Sequence, residues 1–233
     1  MSAEAVQATL FRAGRGVKAV AKTADFKGAL ARAQAPFTPV RTVAAARPAE
    51  GARTSAGPDA AFRNRIAALE SAGAGWGARN AASGALGRYQ FMPVALRDIG
   101  WQDAAGGWTV RAAAAGVRSG ADFLASPSAQ EAAMGQYLAR AERQLAASGA
   151  LGAAGRMVTG SDGQPLAVTE AGLVAAAHRR GAGTVARWLE HRTRSPEAPV
   201  PEASRAAFAS VEQRLRDFAG VAYATRAGVS PSA

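Results

Sequence analysis

The sequence predicts a mainly α-helical domain that carries one small β-hairpin. Two observations predict it. Large apolar residues recur at helical spacing in four separate stretches: Phe62-Ile66-Leu69, Met134-Tyr137-Leu138-Ala141-Leu145, Leu173-Val174-Ala177 and Phe208-Val211-Leu215-Phe218. Two short runs, 156–159 and 165–168, flank Gly160-Ser161-Asp162-Gly163. Asp-Gly between such runs is a strong hairpin signal.

Taken in order, residues 1–58 stand apart from the rest. Residues 1–60 hold nine Lys/Arg and four acids, with few large apolar side chains. Val6, Leu10, Ala13, Val17 and Ala21 follow a helical spacing, with Arg12, Arg15, Lys18 and Lys22 on a neighbouring face. This describes a short basic amphipathic helix, which Gly14 and Gly16 weaken by about 1 kcal/mol each. Pro36, Pro39, Pro48 and Pro58 then interrupt a stretch that buries too little to offset its ordering entropy. Residues 1–58 are therefore expected to form an irregular basic arm or linker, and 59–223 the folded domain.

Within that domain Asp59 is the expected N-cap of a first helix that ends near Ser71 to Gly75. Residues 76–92, with Gly77, Gly84 and Gly87, read as an irregular or hairpin segment. Pro93 to Ile99 reads as helix with proline in its first turn. Ser126-Pro127 opens a long helix to about Ser148. Thr169 caps another, which runs to about Arg180. Gly181 and Gly183 break it, and Val185, Trp188 and Leu189 mark a short helix. Pro196, Pro199 and Pro201 form a join, and a last helix is expected from Glu202 to about Tyr223. Residues 224–233 read as a flexible tail.

Composition excludes several classes. No apolar run approaches the roughly 20 residues of a membrane helix. There is no cysteine, so disulfide scaffolds, cysteine zinc sites and thiol nucleophiles are excluded. No metal site and no cofactor is expected. Met1 to Lys22 lacks the apolar block of a secretory signal, because Arg12, Arg15 and Lys18 break it up. Lys and Arg total 28 against 17 Asp and Glu, a formal charge of +11. Such a charge suits nucleic acid, an anionic membrane or an anionic wall polymer.

The chemistry centres on Glu70. It ends an apolar helix, where a carboxyl group meets the negative end of the helix dipole. Leu69, Trp76 and Phe91 make its sequence surroundings apolar. Both effects favour a protonated carboxyl, the form that general acid catalysis needs. The competing reading is a solvated glutamate at a helix end, the commoner situation for a charged residue. Between Ser71 and Ile99 the one other acid is Asp98. A two-carboxylate glycosidase mechanism therefore lacks its partner nearby. Asp98, Asp103 and Asp122 remain as candidates that also read as caps or solvated charges.

Three ordered segments carry a resemblance: Glu70-Ser71, then Gly87-Arg88-Tyr89-Gln90-Phe91-Met92-Pro93, then Ala176-Ala177-His178-Arg179-Arg180-Gly181-Ala182-Gly183. Their order and spacing resemble the lysozyme-like soluble lytic transglycosylase family over roughly residues 60 to 190. The resemblance implies a lysozyme-like α+β fold with the hairpin beside the active-site cleft. It implies that Glu70 is the catalytic acid/base, that Ser71 supports it, and that Gln90 and its neighbours line the sugar cleft. His178-Arg179 stands where the family has Tyr-Asn. Tyr89 or His178 then takes the role of the family tyrosine, and Arg179 and Arg180 meet substrate carboxylates or cap their own helix. Among the aromatics, Trp76 is the stacking candidate, while Phe91 and Trp101 read as core.

The expected function is cleavage of the MurNAc-GlcNAc β-1,4 bond of peptidoglycan by one carboxylate, with a lytic or a hydrolytic product. With no export signal read, delivery is expected from a phage or phage-like particle or by lysis. Residues 1–58 would dock to virion or tail proteins or touch DNA or anionic membrane. No sequence-specific nucleic-acid readout is expected. The alternative is a non-enzymatic structural or nucleic-acid-binding virion component, whose binding would fall steeply with salt.

Overall fold

The computed structural model describes residues 59–223. The expected amphipathic arm helix and the flexible tail lie outside the described residues. Within them the domain is mainly helical, with eight α-helices and one two-stranded antiparallel sheet. The helices are α1 (Ala60–Ser71), α2 (Pro93–Asp98), α3 (Val110–Ala113), α4 (Gly120–Ala125), α5 (Pro127–Ala147), α6 (Glu170–Arg180), α7 (Ala182–Arg194) and α8 (Glu202–Asp217). A single 3₁₀ turn, Ala150–Ala153, follows α5. Strands β1 (Met157–Thr159) and β2 (Pro165–Ala167) pair with Val158 opposite Leu166.

Helix starts follow the capping chemistry of the sequence. The Ser126 hydroxyl accepts the Ala129 amide at the start of α5, and the Thr169 hydroxyl accepts the Gly172 amide at the start of α6. Asp59 holds the N-cap position of α1, but in a left-handed conformation and without a side-chain cap bond. At the far end α1 stops where Ala72 and Gly73 both turn to positive φ.

The core is built around α6, which is buried on every side from Ala171 to Ala177. A helix apolar all round belongs in the interior. Its small residues let neighbours approach closely: a Cβ on Gly172 would stand 2.6 Å from a Leu215 methyl of α8. Helices α5, α7 and α8 pack around α6. Phe62 of α1 joins this core through the rings of Phe218 and Tyr223, at 5.2 and 4.3 Å between centroids.

Segment 76–92 is irregular, with isolated bridges Arg79 to Leu86 and Leu86 to Phe91. The fully buried Gln130 of α5 fastens it. Gln130 donates to the Trp76 carbonyl and accepts the Arg88 amide. A Cβ on Gly87 would collide with that amide group at 2.2 Å, and φ there is +75°. Glycine at 87 thus allows the loop to sit against α5.

Two differences from the sequence reading concern length. The last helix ends at Asp217, not near Tyr223, because Phe218, Val221 and Tyr223 leave the helical path to pack on the core. The helix carrying Val185 and Trp188 is not short; it runs 13 residues, to Arg194. Among the described residues no helix is long and apolar enough to cross a membrane.

Candidate active site

Glu70 lies in the last turn of α1 with its side chain 6% exposed. Arg214 of α8, 144 residues away in sequence, donates to Glu70 Oε1 at 2.5 Å. Arg179, at the end of α6, donates to Oε2 at 3.1 Å. The two guanidinium groups offset the unfavourable end of the α1 dipole. This corrects the apolar surroundings expected for Glu70. The carboxyl group faces cations, and Leu69 is 38% exposed. An apolar environment therefore does not by itself supply a protonated acid.

His178 stands next to the pair. Its Nδ1 is 3.9 Å from Glu70 Oε1 and has no hydrogen-bond partner. Burial lowers the imidazole to a pKa of about 4, against the opposing pull of the Glu70 charge. It is therefore neutral at pH 7. Tyr137 of α5 meets the His178 ring edge-on at 5.5 Å. Burial, then the negative charges of Asp98 and Glu70, push the Tyr137 phenol above its ordinary value. Arg180 completes the cationic group. Its Nε is buried without a partner. Burial and the charges of Arg179 and Arg214 hold it below the ordinary arginine value.

The first and third sequence motifs thus converge, Arg179 lying 109 positions after Glu70. The middle motif takes supporting positions. Tyr89 is fully buried, and its hydroxyl donates to Glu131, which also pairs with Arg63 at 2.7 Å. Of Tyr89 and His178, His178 is the one beside Glu70. Phe91 is 2% exposed and sits edge-on to Tyr89, Phe123 and Tyr137. Gln90 adopts φ 49° and donates from Nε2 to the Gly87 carbonyl. Ser71 is fully buried, and its hydroxyl donates to the Ala67 carbonyl one turn back. Trp76 is partly buried, with the Arg88 guanidinium 4.8 Å above its ring. As the side chains stand, Ser71, Tyr89 and Phe91 lie behind the site surface.

The other carboxylates are engaged elsewhere. Asp98 pairs with Arg140 at 3.3 Å, Asp103 accepts the Gly107 amide, and Asp122 accepts the Arg118 amide. Among the described residues no group of three or more His, Asp or Glu side chains converges as a metal shell.

Arg214 and Tyr137 were not singled out from the sequence as site residues. Arg214 had a signal: with Glu212 it flanks the apolar stripe Val211-Leu215-Phe218, and a charge at the edge of a buried face needs a partner. Tyr137 gave none, because an aromatic on an apolar helix face reads as core. No protein-family model, curated protein or solved structure matches this chain.

Proposed function

We propose that the chain is a peptidoglycan-cleaving muramidase or lytic transglycosylase of lysozyme-like type, with Glu70 as its one catalytic carboxyl group. The observation that supports this reading is a buried carboxylate held at a helix end, beside a neutral imidazole and a partly exposed arginine. That is a group with a fixed position and one exchangeable partner. In the proposed reaction Glu70 first takes a proton from solvent as it gives up one guanidinium bond, and passes it to the glycosidic oxygen as the C1–O bond breaks. The substrate's N-acetyl oxygen closes on C1. The resulting Glu70 carboxylate then takes a proton from the 6-hydroxyl, whose oxygen displaces the N-acetyl oxygen from C1 to leave an anhydro end, or from water, whose oxygen displaces it to leave a reducing end. Glu70 regains its proton in either case. Asp98, Asp103 and Asp122 have partners of their own, which favours the one-carboxylate route.

The proposed delivery vehicle is a phage or phage-like particle, with residues 1–58 as the docking arm. The partners proposed are glycan strands for the domain, and virion proteins or polyanions for the arm.

A second reading has its own observation. With both oxygens of Glu70 bound by guanidinium groups, the site also reads as a closed ion-pair network in a non-enzymatic virion component. Sacculus digestion by the wild type beside Glu70→Gln separates the two: no digestion by the wild type supports the second reading. The enzyme reading expects sacculus digestion to fall at least about a hundredfold with the circular dichroism spectrum retained. Unchanged digestion in the variant removes Glu70 as the acid.

A further inference from the structure

We propose that the arginines around Glu70 form a carboxylate-exchange site: a carboxylate of the glycan substrate takes over Arg179 and Arg180, and Arg179 thereby releases Glu70 Oε2 towards the scissile bond. This rests on the glycan-cleaving reading and narrows its substrate class to strands that carry a carboxylate beside that bond.

The first support is charge balance. Glu70 receives two direct guanidinium bonds, from Arg179 and Arg214. Arg180 stands in the field of both, and Arg65 in that of Arg214. Two carboxylates, Glu70 and Asp217, thus stand against four arginines, and a further anion is electrostatically welcome there. The second support is unmet hydrogen bonding. Arg180 Nε and His178 Nδ1 are both buried without a partner. The His178 side chain is 8% exposed and its Nδ1 points to the Glu70 carboxylate at 3.9 Å. An unpaired buried polar atom is costly, and a bound anion relieves that cost.

The third support is an asymmetry between the two clamps. Arg214 is 9% exposed and binds at 2.5 Å; Arg179 is 31% exposed and binds at 3.1 Å. Arg179 is the partner that can move, so Oε2 is the oxygen that can be freed. The cluster already takes a carboxylate from the protein, and the exchange trades it for one from the substrate. Guanidinium forks match carboxylates in pairs of parallel bonds. Two sources share this chemistry: the lactyl carboxylate of peptide-free muramic acid and the carboxylates of a stem peptide.

The test uses the full chain. Calorimetry measures binding of N-acetylmuramic acid, muramyl dipeptide and neutral N-acetylglucosamine. Sacculus digestion is measured before and after conversion of the wall carboxylates to methyl amides. The expected result is preference for one or both anionic sugars, the stronger naming the source. Arg180→Gln should lower that preference about tenfold or more, with Arg180→Lys, which keeps charge but lacks Nε, falling between. Amidated sacculi should be cut more slowly by a similar factor. Equal binding of neutral and anionic sugars, or equal digestion of native and amidated sacculi, overturns the exchange while leaving glycan cleavage standing. Binding of the anionic sugars without digestion of any sacculus overturns the cleavage reading and, with it, the exchange. The amidation arm needs no variant, so a folding defect in Arg180→Gln does not spoil the test.

Discussion

His178 couples the site to pH. Its imidazole is buried among Glu70 of α1, Tyr137 of α5, Arg179 of its own helix and Arg214 of α8. Burial, seconded by the two arginines, outweighs the attraction of Glu70 and brings the pKa from 6.5 to about 4. Between those values the unfolded chain binds the proton and the folded one does not. Stability therefore rises as pH increases from 4 to 6.5, by on the order of 3 kcal/mol. The melting temperature of the wild type should climb across that window, and His178→Asn should lose that part of the climb. Parallel curves for the two proteins would remove the buried neutral imidazole from the account. Glu70, His178 and Arg179 were legible in the sequence because short ordered motifs carry them. The cationic surroundings of Glu70 were not, because Arg214 comes from a helix 144 residues away. Adjacent apolar residues said nothing about what another helix delivers.

Among the elements, the hairpin and the last helix are joined by two carboxylates, Glu212 and Asp162. Glu212 of α8 is 2% exposed and accepts from Ser161 N and Oγ, Trp188 Nε1 and Arg192 Nε, all at 2.9–3.0 Å. Asp162 of the same turn pairs with Arg216 at 2.8 Å. The hairpin turn is thereby tied to α8, the helix that also brings Arg214 to Glu70. Glu212→Ala leaves the buried Arg192 without its counter-ion. It should cost about 3–5 kcal/mol and lower the melting temperature by roughly 10 °C. A shift below about 2 °C would show that the hairpin is held by other means. The long elements α1, α5, α6 and α8 and the Asp162-Gly163 turn could be read from spacing and turn chemistry. Helices α3 and α4, of four and six residues, could not. They are shorter than two turns, so no apolar period can build up; packing, with the Ser119 cap at the start of α4, makes them helical.

For the whole molecule, the charge of +11 divides almost evenly between residues 1–60 and the rest of the chain, and the proposed function gives the two separate tasks. Residues 1–60 hold nine basic and four acidic side chains, and the rest of the excess lies beyond them, partly around Glu70. A chain beginning at Asp59 should keep sacculus digestion and lose most salt-sensitive binding to DNA or heparin, read as the slope of affinity against salt. Loss of digestion with the arm would tie the two tasks together. The central claim is that Glu70 cuts glycan strands by itself. Mass spectrometry of material released from purified sacculi tests it most directly, with the full chain and Glu70→Gln run side by side. The expected result is disaccharide-peptides from the wild type, ending in anhydro or reducing muramic acid, and none from the variant. No released fragments from the wild type, or the same fragments from both, would contradict it.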